Sequence, residues 1–403
     1  MSGEAVGNPQ CYASKQKQIN RLVDENAAWS IAVRRHLHQY PELSHHESKT
    51  VQYIGQQLDE MGLEVLSCTG KDAVAYIEGS RPGKTVALRA DIDALPIQEE
   101  TGLPFASKLD GVMHACGHDG HTAILLGAAK ALCGMPNDFA GRIKLIFQHA
   151  EEVVPGGARE LVEAGVLQDV DAIFGLHLWQ SLDAEIVGAC PGPIMAGADS
   201  FTIKISGTGG HGSMPHLTID PIVVAAHLVT QLQTVVSRSL NPLYPAVVSV
   251  GQIHAGDTYN IIPDTALIEG TVRYFHPEVR EAIPDLLERL ANGTCSSFGA
   301  SSSFTYVKGD PSVVNDFQMN KVVEQVAAEV LGTDKVVTAE PSMAGEDFSY
   351  YLQKVAGAYF FLGMKGEAAR YSHHHPRFTI DERMLAPGSK LLAGIALNYL
   401  SHS

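Results

Sequence analysis

The sequence predicts an α/β protein with a central, mostly parallel sheet flanked by helices, interrupted by a second and smaller α/β unit. Two observations predict the larger part. The apolar runs TVALRADIDAL (85–95), RIKLIFQHA (142–150) and DAIFGLHLW (171–179) are too continuous for strands with one wet face, so they match buried parallel strands. Between them, TAILLGAAKAL (122–132) and ARELVEAGVL (158–167) have the helical spacing of crossover connections. The third observation is a change of order in the middle, where strand, helix, strand, strand, helix and strand follow one another.

Taken from the start, residues 17–38 place Ile19, Leu22, Val23, Trp29, Ile31, Ala32 and Leu37 at helical spacing, and Tyr40-Pro41 ends the pattern, so one amphipathic opening helix is expected. The three strand runs and their helices follow. The middle reads as strand 201–207, helix 221–238, strands 246–256 and 266–275, helix 277–294 and strand 303–309. That βαββαβ order is a ferredoxin-like unit, four strands with two helices on one face. Gly192-Pro193 and Gly309-Asp310-Pro311 punctuate its borders. A last apolar run, GAYFFLGM (357–364), returns the chain to the first sheet. The expected division is therefore a discontinuous α/β domain, 1–196 and 311–403, around an inserted domain, 197–310.

Composition narrows the function. The 403 residues are 45% hydrophobic and 18% charged, with no apolar stretch of about 18 residues, which argues against disorder and against a membrane-spanning helix. A net charge of −16 disfavours nucleic acid and anionic lipid as partners. The start, MSGEAVGNPQCYASKQKQINRL, lacks the basic and apolar regions of a secretory signal, so a cytoplasmic protein is expected. Six scattered cysteines suit reduced thiols. The 18 histidines are unusual because they cluster, at 36/38/45/46, 114/118/121, 149/177, 211/216 and 373/374/375, which points to metal.

In an open α/β sheet, ligands bind beyond the carboxyl ends of the strands. Those ends carry Asp91-Ile92-Asp93, Glu151-Glu152, His177 and His373-His374-His375, and the segment His114 to His121 adds Cys116 and His118 just before a helix. Cys116, His118, Glu152, His177 and one of the triple histidines, His374 with His373 and His375 as alternatives, are more ligands than one hydrolytic metal needs. They suit two metals with a bridging group. Neighbouring carboxylates at a strand end point in different directions, so Glu152 can ligate while Glu151 serves as general base. A lone histidine is ordinarily a surface or satisfied core residue, and His36, His45, His46, His227, His254, His276 and His402 are assigned nothing.

These residues resemble the aminoacylase/carboxypeptidase group of dinuclear metallohydrolases, in particular its amidohydrolase subgroup of hippurate hydrolases, N-acyl-amino-acid amidohydrolases and indoleacetyl-amino-acid hydrolases. The motifs that carry the resemblance run along nearly the whole chain. They are Arg35-His36-Leu37-His38-Gln39-Tyr40-Pro41-Glu42, Arg89-Ala90-Asp91-Ile92-Asp93-Ala94-Leu95-Pro96, His114-Ala115-Cys116-Gly117-His118-Asp119, Ala150-Glu151-Glu152, Gly175-Leu176-His177, Gly209-Gly210-His211-Gly212, Ala344-Gly345-Glu346-Asp347-Phe348 and His374-His375-Pro376-Arg377-Phe378.

The resemblance implies a two-domain subunit whose inserted domain is a lid and dimerisation surface. It implies two divalent ions (Mn, Zn, Ni or Co) on Cys116, His118, Glu152, His177 and His374, the last picked by the subgroup's His-x-Pro-x-Phe pattern. Glu151 matches the general base, and His211 a histidine that helps bind the substrate carbonyl or its oxyanion. Asn260 and Arg273, on the middle strands of the inserted domain, resemble residues that hold a substrate carboxylate. Where the wider family has His-x-Asp-x-x-Pro, this chain has Asp91 in the first position, and Asp93 becomes a carboxylate behind the ligands. The implied activity is hydrolysis of the amide in small N-acyl amino acids by a homodimer or higher oligomer, with a carboxypeptidase or dipeptidase as the alternative use of the site.

Overall fold

The computed structural model describes residues 9–402. Residues 1–8, on which the reading of the N-terminus partly rests, and the Cys11 side chain lie outside what is described. The chain divides into two compact units: 1–194 with 314–340 and 347–403, and 195–313 with 341–346.

The first unit is built on a seven-stranded sheet. Its leading strands are β1 (Ala73–Glu78), β2 (Arg81–Asp91), β3 (Ala140–Gln148), β4 (Ala172–Asp183) and β5 (Val187–Ala189). The spatial order is β1, β3, β2, β4, Ala356–Lys365, β5 and Val336–Thr338. The four middle strands are parallel to one another, while β1 runs antiparallel on β3. The three long apolar runs of the sequence are thus the sheet's interior, where both faces must be dry. Three strands towards the margins, β1, β5 and Val336–Thr338, were not expected from the sequence.

The opening helix is two helices, α1 (Pro9–Glu25) and α2 (Ala27–Gln39). They break at Asn26, whose side-chain amide donates to Leu22 O at 2.8 Å and so competes with the helix's own ladder. After α3 (Ser48–Glu60) comes α4 (His118–Cys133), rich in Ala, Leu and Gly and buried along nearly its whole length. It packs with the equally apolar helix Leu385–Ser401 on the sheet; small residues allow the close approach, and Ser389 Oγ donates to Ile124 O at 2.9 Å.

In the second unit, strands Ser301–Val307, Gly197–Ser206, Thr265–Tyr274 and Ala246–Ala255 lie in that order, all antiparallel. Along Gly197–Ser206, burial alternates residue by residue. Its inner face, Phe201, Ile203 and Ile205, packs with Val224, Leu228 and Leu232 of the helix Pro221–Thr234 and Ile283 and Leu287 of the helix Pro277–Ser297.

Candidate metal centre

The carboxyl ends of the parallel strands converge as the topology requires. Beyond β2 lies Asp93, buried; beyond β3 lie Glu151 and Glu152; His177 is within β4. Cys116 and His118 flank Gly117, whose φ of 98° is a left-handed turn that favours glycine and starts α4. His374 has φ 64°, and its N–H donates to Ala115 O at 2.8 Å, which fixes this turn against the Cys116 segment.

Cys116 Sγ is 3.5 Å from His177 Nε2, and Glu152 Oε1 is 3.3 Å from His374 Nε2. His118 Nε2 stands between the two pairs, 3.8 Å from Glu152 Oε1 and 3.9 Å from Glu151 Oε2. Donor atoms of Cys116, His118 and His177 lie within 4.8 Å of one another, as do those of Cys116, Glu152 and His374, and those of His118, Glu151 and Glu152. The pocket is dry at His118 and opens towards His374, whose side chain is 52% exposed.

Each ring is held so that one nitrogen is left for the pocket. His118 Nδ1 donates to the Asp93 carbonyl at 3.0 Å and to its carboxylate at 3.1 Å, while His177 Nδ1 donates to Leu178 O at 2.8 Å. Asp93 Oδ2 accepts the N–H of Glu152 at 3.0 Å, so one carboxylate orients two of the gathered side chains.

The electrostatics favour cations. Burial works against charge on His118, yet Asp91, Asp93 and Glu152 overrule it and push its pKa up to about 10. Burial, then His121 and His373, holds His177 well below the ordinary histidine value, in the neutral form a metal takes. Burial and then Glu152 and Glu151 push the Cys116 thiol well up. His118 Nε2 and Glu152 Oε1 are buried without a hydrogen-bond partner. Thiol, imidazole and carboxylate donors gathered this closely around buried carboxylates, with His118 Nε2 left unpartnered, fit divalent metal.

The triple histidine separates by environment. His373 is turned onto Leu178 O at 2.9 Å, and burial lowers its pKa to about 4. His375 stacks on Tyr371 and accepts the Arg377 N–H at 3.0 Å. His374 alone of the three reaches Glu152.

In the second unit, His211 and Asn260 are brought together at one end of the sheet: Gly212 N–H donates to Asn260 O at 2.9 Å, and His211 pairs with Ile261. Both are exposed, and the His211 ring accepts from Ser213 Oγ at 2.9 Å. Asn260 lies in a turn, not on a middle strand as expected from the sequence. Arg273 is on the strand Thr265–Tyr274, but eight residues from Thr265, roughly 25 Å along a strand. Within this unit Arg273 and Asn260 are not brought together, because they lie near opposite ends of that strand.

Supporting residues to which sequence reasoning gave no role are buried and polar. Asp347 accepts from Arg89 at 2.9 Å, from Gln148 at 2.8 Å and from the N–H of Ala158 at 2.9 Å, pinning both ends of the loop that carries Glu151 and Glu152. Asp119 pairs with Arg34 and His38, each at 2.8 Å, and holds α2 to α4. His121 donates to Asp91 at 2.7 Å and accepts the Leu178 N–H at 2.9 Å, fixing β4 beside His177. Asp119 and Asp347 lie within the quoted motifs and His121 within a histidine cluster, and nothing else in the sequence marked them.

Comparison with known proteins is consistent with this pocket. The model of peptidase family M20/M25/M40 matches residues 87–398. The chain is 49% identical over 301 residues to an N-acyl-L-amino acid amidohydrolase of Geobacillus stearothermophilus, covering 74% of this chain and 81% of that one. It is 41% identical over 389 residues to thermostable carboxypeptidase 1 of Saccharolobus solfataricus, covering 95% and 98%. A crystal structure of a Bacillus subtilis dinuclear metal-binding peptidase of the M20 family superposes with TM-score 0.83 at 40% identity, covering 94% of this chain and all of that one.

Proposed function

The chain belongs to peptidase family M20/M25/M40, and from that premise we propose that it is a metal-dependent amidohydrolase that splits N-acyl amino acids into a carboxylic acid and a free amino acid. The observation that carries this reading is the convergence of Cys116, His118, Glu152, His177 and His374 with a second carboxylate, Glu151, beside them.

Those five side chains would hold two divalent ions, Mn, Zn, Co or Ni, which supply positive charge to acidify water and polarise the scissile carbonyl. The remaining duties fall to the chain. Asp93 and the Leu178 carbonyl keep the His118 and His177 rings in the tautomers that present Nε2. Glu151 accepts the proton of the attacking water and passes it to the amine nitrogen as the C–N bond breaks. His211 is assigned to the oxyanion, and Asn260 and Arg273 to the substrate carboxylate. The second unit is assigned the parts of lid and homodimer contact, and the cytoplasm is the assigned compartment. Among the described residues no helix is long and apolar enough to cross a membrane, and the net charge of −16 suits small substrates over polyanions.

The likeness to a carboxypeptidase over 95% of the chain supports a second reading, cleavage of unblocked peptides by the same residues. Release of amino acid from hippurate, N-acetyl-methionine, indoleacetyl-alanine and Gly-Leu, after EDTA and re-addition of each metal, separates the two. Metal-restored cleavage of an N-acyl compound is expected; cleavage of Gly-Leu alone would replace the amidohydrolase reading with the peptidase one.

A further inference from the structure

We propose that the first unit holds a further cation site, formed by His45, His149 and Glu160 and suited to a borderline divalent ion such as zinc. None of the three belongs to the Cys116 pocket, and this site goes beyond the proposed activity. Their donor atoms lie within 4.8 Å of one another. His149 Nε2 is 3.0 Å from Glu160 Oε2, and the His45 and His149 rings are 5.7 Å apart.

His149 Nε2 has Glu160 as its present partner, and the other nitrogen of its ring is unsatisfied. The His149 side chain is completely buried, and its Nδ1 has no hydrogen-bond partner. His45 Nδ1 is also buried without a partner, on a residue held at φ 65°. Two imidazoles and a carboxylate form a donor set that zinc takes, with a fourth position left for water. Bonds of about 2.0–2.1 Å put tetrahedral ligands roughly 3.3 Å apart, so the His149–Glu160 edge is nearly at ligand spacing and only His45 needs to swing inward. The competitor already present is Lys71, whose ammonium is 3.2 Å from Glu160 Oε2 on a side chain 44% exposed.

Position gives the site a consequence. His149 is two residues before Glu151. On the other side, Ser44 Oγ donates to Asp93 Oδ2 at 2.7 Å, and Glu47 Oε1 accepts the Ala150 N–H at 2.7 Å. A cation shared by His45 and His149 therefore ties the 44–47 loop to the segment that delivers Glu151 and Glu152, and its occupancy tunes how firmly that segment is held.

The test is a count of bound zinc on the full chain, stripped with chelator, reloaded with zinc, freed of excess by gel filtration and measured by mass spectrometry, with calorimetric titration alongside. His45→Gln, His149→Gln and Glu160→Gln are each expected to bind one zinc fewer than the wild type while keeping its circular dichroism. Lys71→Met, which removes only an exposed ammonium, is expected to tighten the same event several-fold, and it decides the matter if a histidine variant fails to fold. Variants that bind as many ions as the wild type, or an affinity unmoved in Lys71→Met, would overturn the proposal. The readout is a difference between variants, so it stands apart from whether any N-acyl substrate is cleaved.

Discussion

Glu151 and Glu152 are adjacent in sequence, yet the two carboxylates carry different expected losses. Glu151→Gln keeps the shape and removes the proposed base, so turnover should fall about 10²- to 10⁴-fold with metal content unchanged. Glu152→Ala removes a carboxylate that faces both His118 and His374, so metal should be lost. Elemental analysis beside kinetics reads both, and the reverse pattern would exchange the roles. Asp93 sets two of the proposed ligands, accepting from His118 Nδ1 and from the Glu152 N–H. In Asp93→Asn the metal Kd should rise about 10- to 100-fold, as removal of such supporting carboxylates does elsewhere; titration with a competing chelator measures it.

At the scale of elements, the edge of the sheet is tied to the turn before β4 by Asp169. Its carboxylate meets Lys144 at 2.8 Å and Arg142 at 2.9 Å on β3, and Tyr76 of β1 at 3.0 Å. Burial opposes its charge, but Lys144, Tyr76 and Arg142 outweigh burial and hold the pKa below the ordinary carboxylate value. A depressed folded pKa stabilises the fold fully above the unfolded value of about 3.9, and that stability is lost as pH falls through the folded pKa. Asp169→Asn should therefore destabilise by about 2 kcal/mol at neutral pH, since Lys144 stays buried. The gap to wild type should begin to narrow below about pH 4 and close only below the depressed folded pKa. Urea melts at pH 7 and pH 3.5 check it, and a gap that does not narrow on acidification contradicts the assignment.

For the whole molecule, the proposed ligands come from four stretches, 116–118, 152, 177 and 374, that meet only when the first unit is folded. Cations bound there stabilise the folded state alone. At metal one hundred times Kd the effect of one ion is about 2.7 kcal/mol, which for a chain of this size is roughly 3 °C in Tm. Thermal melts with EDTA, then with Mn or Zn restored, should show that drop and its recovery; an unchanged Tm would contradict a site of this kind.

The sequence by itself determined the sheet interior and the chemical character of the strand ends. β2, β3, β4 and Ala356–Lys365 were legible because strands covered on both faces must be apolar throughout, and residues just beyond them face a shared crevice. The break at Asn26 was not legible, since the hydrophobic spacing runs through it undisturbed. Short β1 carries too weak a pattern beside its long neighbours. Spacing alone left His374 level with two identical neighbours and only the resemblance picked it; the tertiary structure supplies the physical difference, a left-handed turn bonded to Ala115 that aims it at Glu152 while His373 is drawn onto Leu178. It alone joined Asp347 to Arg89, 258 positions away, and His45 to His149. Local sequence sets periodicity and donor type; which distant donors share a few ångströms is decided by how the layers pack.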